Sequence, residues 1–337
     1  MKACTVGEFD LIARYFTRPV RQAALGVGDD CALLQPAPGT QMAISCDMLV
    51  QGRHFFADTD PRQLGRKALA VNLSDLAACG ARPLAFTLAL ALPEVNEAWL
   101  AAFAQGLFAL ADAHDCELVG GDTTAGPLNI CITVFGEVPV VNGKSQALLR
   151  SGARAGDDLY ISGTLGDARL ALEAMHGKLT VPDAVLSAAR ERLQSPAPRV
   201  ALGLALRGIA SAAIDVSDGL IGDLGHILER SRVGATVQVD QAVACIACHV
   251  HDAQTADASG LHLSQEQWRT LALCGGDDYE LLFTAPPSQS AAVVAAAQAS
   301  QTPVRRIGQI DATAGLQLLD AQGQALPNHY ASFDHFA

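Results

Sequence analysis

Four times along this chain an apolar run gives way to glycine and aspartate: Gly28-Asp29-Asp30, Gly121-Asp122, Asp215-Val216-Ser217-Asp218-Gly219 and Gly276-Asp277-Asp278. Each is a point where a strand or helix ends and carboxylates meet flexible backbone, so the chain is built from short elements whose ends carry acid. Strands and helices follow one another in mixed order rather than in strict βα alternation. That order predicts an α+β fold of two domains, each a mixed β-sheet with helices packed on it, rather than one doubly wound sheet.

The length of 337 residues fits about two domains. With 50% hydrophobic residues and only 5% aromatic, the cores are made of Ala, Leu, Val and Ile. Apolar spacing gives a helix over 8–16, a helix over 61–80 that opens on Pro61 and closes on Gly80, and one from the Asn96 cap to about His114. Strands are expected over 42–46 (closed by Asp47), 84–92, 117–119 running into Gly120-Gly121, and 128–141, where Asn142-Gly143 reads as a hairpin turn. After a polar stretch at Arg150-Ser151-Gly152-Ala153, strands follow over 159–162, 212–216, 279–284 and 304–310. Helices are expected over 167–176, 182–193, 199–206, from Gly219 to about Arg230, and over 288–299. The domains are therefore set at 1–149 and 150–337.

The net charge of −12, with no Lys/Arg run, argues against nucleic acid as a partner. A phosphorylated ligand needs cations to reverse the local field. The most apolar stretch, 83–93, is too short to span a bilayer, and the start has no signal-peptide core, so the expectation is a cytoplasmic chain without a membrane partner. Nine cysteines at irregular spacing fit reduced thiols. Cys245-Ile-Ala-Cys248-His249 matches the c-type haem pattern, but without export ordinary loop residues are the better reading. Gly143-Lys144-Ser145 lacks the first P-loop glycine, which is Val138, and Gly26-x-Gly28 lacks the third dinucleotide glycine, which is Cys31.

Taken singly, each acidic motif has a plain alternative: an acidic turn at Asp29-Asp30, an ion-paired Asp75, an N-cap at Ser217 or Asp218. Asp75 is notable because 68–78 is otherwise apolar or small except for Asn72, which lies three residues away on the same helical face. A carboxylate there is costly unless it is paired or bound to metal. Gly120-Gly121-Asp122 offers backbone N–H groups to a phosphate and a carboxylate to its cation. If Asp29, Asp30, Asp47, Asp75, Asp122, Asp215 and Asp218 converge, they stay ionised only with several Mg²⁺ ions, which points to a Mg-nucleotide enzyme without a P-loop.

The ordered set Gly26-Val27-Gly28-Asp29-Asp30, Ser45-Cys46-Asp47-Met48-Leu49-Val50 with His54-Phe55, Asn72-Leu73-Ser74-Asp75, Gly120-Gly121-Asp122-Thr123-Thr124, Asp215-Val216-Ser217-Asp218-Gly219-Leu220 and Gly275-Gly276-Asp277-Asp278-Tyr279-Glu280-Leu281 resembles the thiamine-monophosphate kinase family. The wider superfamily includes aminoimidazole ribonucleotide synthetase and selenophosphate synthetase. The resemblance implies ATP-dependent phosphorylation of thiamine monophosphate to thiamine diphosphate by a homodimer built through the N-terminal domains. It implies magnesium contacts at Asp30, Ser45, Cys46, Asp47, Asp75, Asp122, Asp215 and Asp218, ATP contacts at Gly121, Asp122, Arg150 and Ser217, and substrate contacts at His54, Asp277 and Phe333. The family has Glu where this chain has Asp277. Phe333 would stack on the thiamine cation or simply pack the C-terminal segment. No covalent nucleophile or evident base is expected. The rival readings are another ATP-using enzyme of the superfamily and a non-catalytic Mg-nucleotide sensor.

Overall fold

The computed structural model describes residues 7–248 and 261–330, so His249 and Phe333 lie outside the described residues. The chain forms two compact units, Met1–Leu76 with Ala81–Ser145, and Ala77–Gly80 with Gln146–Ala337. The main break falls after Ser145, four residues before the boundary expected from sequence.

In the first unit, β1 (Thr40–Val50), β2 (Arg82–Leu92), β3 (Glu117–Ala125) and β4 (Asn129–Val141) form a sheet in the order β1-β4-β2-β3, with the short β5 (Lys144–Ser145) pairing β4. Only β2 and β3 are parallel. The β4–β5 turn is the expected one: Asn142 and Gly143 take φ of 50° and 73°, as a type I′ hairpin requires. β3 departs from expectation. It runs on through Gly120-Gly121-Asp122-Thr123-Thr124 because Thr87 to Leu92 of β2 pair with Gly120 to Ala125 in parallel. Likewise β1 continues past Asp47, because Met48, Leu49 and Val50 pair with Cys131, Ile130 and Asn129.

The helices of this unit are α1 (Glu8–Leu11, continued by a π-turn over Ile12–Phe16), α2 (Pro61–Ala78) and α3 (Glu97–Ala113). The Asn96 side chain caps α3 by accepting from the Trp99 N–H at 3.0 Å. Two glycines set the α2–α3 distance. A Cβ at Gly65 would lie 2.1 Å from the Phe103 carbonyl oxygen, and one at Gly106 1.8 Å from that of Arg62. The helices thus touch backbone to backbone, and Leu64, Leu69, Leu73, Leu76, Leu100, Phe103, Leu107 and Leu110 are buried.

The second unit holds a seven-stranded sheet: β6 (Asp158–Ser162), β7 (Ala212–Val216), β8 (Gly234–Gln238), β9 (Glu280–Ala285), β10 (Val304–Asp311), β11 (Gly315–Leu319) and β12 (Ala325–Leu326), in the order β12-β11-β8-β10-β6-β9-β7. Its helices are α4 (Asp167–Met175), α5 (Asp183–Gln194), α6 (Val200–Ala205), α7 (Leu220–Ser231), α8 (Val239–Val243), α9 (Gln265–Cys274) and α10 (Ser290–Ala299). The core runs from Leu159 and Ile161 on β6 to Leu224 and Ile227 on α7 and Trp268 and Leu271 on α9. Among the described residues all cysteines are free thiols, and no helix is long and apolar enough to cross a membrane. Cys245 is buried, and its thiol bonds the Gln241 carbonyl.

The glycine contacts give a paired test. Gly106→Ala forces α2 and α3 apart and should cost about 2–3 kcal/mol in urea unfolding. Gly225→Ala at an exposed position of α7, where a Cβ meets nothing within 4 Å, should instead stabilise by about 0.5–1 kcal/mol.

Candidate active site

Strand β1 and helix α2 build one part of the site. Side chains alternate along β1, so Ser45, Asp47 and Leu49 share one face and Cys46 and Met48 the other. Ser45 donates from its hydroxyl to Asp75 at 2.5 Å, and the Asp47 N–H donates to the Asn72 side-chain oxygen at 3.0 Å. Asn72 in turn donates to the Ala68 carbonyl at 3.0 Å. The two polar residues of the apolar helix therefore face the β1 carboxylate and hydroxyl, as their three-residue spacing implies. The side chain of Cys46 points the other way, toward Cys131, so only its backbone could serve the Ser45–Asp47 face. At the end of β1, His54 accepts the Val50 N–H on Nδ1 at 3.0 Å, which leaves Nε2 as the protonated nitrogen of the neutral ring.

A second part lies at the β3 edge. Val27, Gly28, Asp29, Asp30, Gly121 and Asp122 line a cavity of about 620 Å³ whose apolar wall comes from Phe9, Ile12 and Phe16. Gly121 has φ 143°, and a Cβ there would lie 1.8 Å from the Leu88 carbonyl oxygen, so the glycine is required by the close approach of β3 to β2.

Two glutamates that the sequence reading missed hold the segment carrying Asp29 and Asp30. Glu117, at the start of β3, accepts from the N–H groups of Arg21, Gln22 and Ala23 at 2.7–3.1 Å. Burial pushes this carboxyl up, but the three amides and Arg21 outweigh it and leave it below the usual range. Glu137 does the same further on, accepting from the Ala37 N–H at 3.0 Å and from Arg82 at 2.6 Å.

The third part is in the second unit. Asp215 is buried in β7, and the N–H groups of Ser217 and Asp218 donate to Asp223 at 3.0 and 3.1 Å. Asp223, on α7, was another residue missed from sequence. Burial raises its carboxyl to about 7, Asp218 adds to the rise, and the two amides and Arg150 oppose it. Arg150 is thereby placed beside the Ser217 turn. The Asp277 loop is tied to the same turn: the Asp277 and Tyr279 N–H groups donate to the carbonyls of Ser217 and Val216 at 2.9 and 2.8 Å. Asp277 and Tyr279 take positive φ of 63° and 50°. Two fully buried acids beyond them fix the loop. Asp278 accepts from the Gly166 N–H at 3.0 Å, and Glu280 is gripped by Arg192 at 2.7 Å, Arg199 at 2.5 Å and the Ser162 hydroxyl at 2.6 Å. Burial holds the Asp278 carboxyl well above the ordinary carboxylate range.

The predicted carboxylates thus fall into groups: Asp29, Asp30 and Asp122; Asp47 and Asp75; Asp215 and Asp218. Within the first unit Asp122 and β1 stand apart. Asp122 pairs with Ala89, Ala89 with Cys131 and Cys131 with Met48, three strand spacings or about 14 Å. Among the described residues no three His, Cys, Asp or Glu side chains gather as a ready metal site. The donor chemistry nevertheless suits a hard cation: carboxylates at Asp47 and Asp75 with the Ser45 hydroxyl, all oxygen.

Residues 28–138 match the family AIR synthase related protein, N-terminal domain, and residues 154–320 its C-terminal domain. The thiamine-monophosphate kinase of Salmonella typhimurium is 46% identical over 98% of both chains. This chain belongs to the thiamine-monophosphate kinase family. The crystal structure of the thiamine-monophosphate kinase from Stenotrophomonas maltophilia K279a has a TM-score of 0.80 at 45% identity, covering 94% of this chain and 95% of that one. AaThiL complexed with AMPPCP and TMP has a TM-score of 0.73 at 26% identity, covering 90% and 89%. The family assignment bears out the α+β reading and the kinase expectation.

The glutamate anchor makes a pH prediction. A carboxyl held low contributes stability above its unfolded value near 4.3, and that contribution is lost as pH falls through the lower folded value. Glu117→Gln should cost about 1–3 kcal/mol at pH 7 and flatten the acid limb of the stability profile. Urea unfolding from pH 7 to pH 3 measures both, and parallel profiles for the two proteins would count against the anchor.

Proposed function

We propose that this enzyme transfers the γ-phosphate of ATP directly to the phosphate of thiamine monophosphate, giving thiamine diphosphate and ADP. The reading is carried by the cavity that joins Gly121 and Asp122 to Asp29 and Asp30, in a chain 46% identical to a named thiamine-monophosphate kinase. AaThiL binds AMPPCP and TMP together, which supports ATP as donor and thiamine monophosphate as acceptor here. The acceptor phosphate is largely dianionic at pH 7, since its second pKa is about 6, and attacks without a strong base. That agrees with a site built from carboxylates, amides and one hydroxyl, with His54 engaged by the Val50 amide.

The task of the chain is to bring two anions together and hold them in line. Asp30, Ser45, the backbone of Cys46, Asp47, Asp75, Asp122, Asp215 and Asp218 are the residues that would hold Mg²⁺. The bound ions would supply charge neutralisation along the polyphosphate. Gly121, Asp122, Arg150 and Ser217 would contact ATP, Arg150 from beside the Ser217 turn. His54 and Asp277 would contact thiamine monophosphate, with the shorter Asp277 carried by a loop whose backbone is fixed by Asp278 and Glu280. Phe333 completes the proposed acceptor contacts.

A homodimer through the first unit is part of the proposal. β1 is an 11-residue edge strand paired on one side only, the kind of edge that proteins cover. Light scattering should give twice the chain mass, and a monomer at micromolar concentration would refute it.

³¹P NMR with ATP, Mg²⁺ and thiamine monophosphate should show thiamine diphosphate and ADP rising together, with EDTA stopping both. Mg-ATP binding without diphosphate product would refute the assignment. No phosphoenzyme should be trapped during turnover. Asp75→Asn should lower kcat by roughly 10²-fold or more with the fold intact by circular dichroism; near-normal kcat would remove Asp75 from the reaction.

A further inference from the structure

The face of β1 turned away from Ser45 and Asp47 carries sulfur. The thiols of Cys46 and Cys131 lie 3.4 Å apart, with Cys46 exposed and Cys131 half-buried. Met48 stands on the same face, is 52% exposed, and has Cys131 as its direct partner across the β1–β4 ladder. Its thioether sulfur accepts from the Asn129 side chain at 3.4 Å, which fixes it on that face. Two thiols therefore meet across two neighbouring strands, and a thioether stands on the same face at the next β1 position.

We propose that Cys46, Cys131 and Met48 form a binding site for one soft monovalent metal ion of the Cu(I) class, separate from the Ser45, Asp47 and Asp75 oxygens on the opposite face. Three points of chemistry select this ligand. The first is spacing: two sulfurs ~2.3 Å from one three-coordinate ion lie about 4 Å apart, so the thiols at 3.4 Å need separate by only about half an ångström. The second is that a disulfide does not fit. The Cα partner of Cys46 is Thr133, so Cys46 and Cys131 are diagonal neighbours at about 7–8 Å between Cα atoms, beyond the span a disulfide bridges. The third is the donor set. Thiolate and thioether select Cu(I), whereas zinc sites draw on a third or fourth Cys, His or carboxylate, and no such group of three is present among the described residues. Binding is ligation without redox change; each thiol that becomes a ligand releases its proton to the buffer.

The test is anaerobic titration of the reduced, full-length protein with Cu(I) against a chromophoric Cu(I) chelator, read together with X-ray absorption at the copper edge. The expected result is one tightly held ion per chain with an all-sulfur shell. Cys131→Ser should abolish that site. Met48→Leu should weaken it without abolishing it, and Cys31→Ser should leave it unchanged. Uptake that survives Cys131→Ser, or a copper shell dominated by nitrogen or oxygen, overturns the proposal. Circular dichroism of each variant separates loss of the site from loss of the fold, and the readout is independent of kinase activity.

Discussion

The first unit depends on how a carboxylate is kept inside an apolar helix. Asp75 sits among Leu73, Leu76 and Ala77, where ionised oxygen is tolerated only with partners. The Ser45 hydroxyl meets it, and two residues further along the strand the Asp47 amide meets Asn72. These two bonds match the register of strand to helix, since a one-residue slip of β1 would turn both away. The packing of α2 on α3 through Gly65 and Gly106 then fixes the helix that carries Asp75. The acidic site and the core of this unit are thus specified by the same few residues.

The second unit solves a related problem at greater cost in charge. Asp278 and Glu280 are both fully buried beside Asp167, and two arginines, one serine and the Gly166 amide answer them. A Cβ at Gly163 would collide with Glu280, so the glycine gives the carboxylate its place. Buried ion pairs of this kind contribute little net stability, but loss of one partner is severe. Their effect is geometric: they hold Asp277 and Tyr279 at positive φ, conformations a free loop would relax from.

Much of this was legible in the chain itself. Asn96, Asn142-Gly143 and the 212–216 strand behaved as local rules require, because cap, turn and apolar run each act over a few residues. β8, β11 and β12 were not legible. They are short, and β8 is a strand because β10 and β11 flank it. The signal for α9 was present and unread: Ser264 and Gln267 form a reciprocal capping box. At the site, the carboxylates expected to bind were visible as Gly-Asp motifs. Glu117, Glu137 and Asp223 were not, because an anchor whose partners are backbone amides leaves no pattern in residue types. For Glu117 those amides lie 94–96 residues away in sequence.

The two amide bonds from Asp277 and Tyr279 to the end of β7 carry a consequence for motion. A Cβ at Gly276 would strike the Ser217 carbonyl, and one at Gly219 would strike Cys274, so the two loops are interlocked as well as bonded. Neither can open alone. In hydrogen exchange the amides of 277 and 279 should therefore keep time with the β7–β9 ladder rather than with surface loops, making this irregular stretch part of the slow, cooperative core.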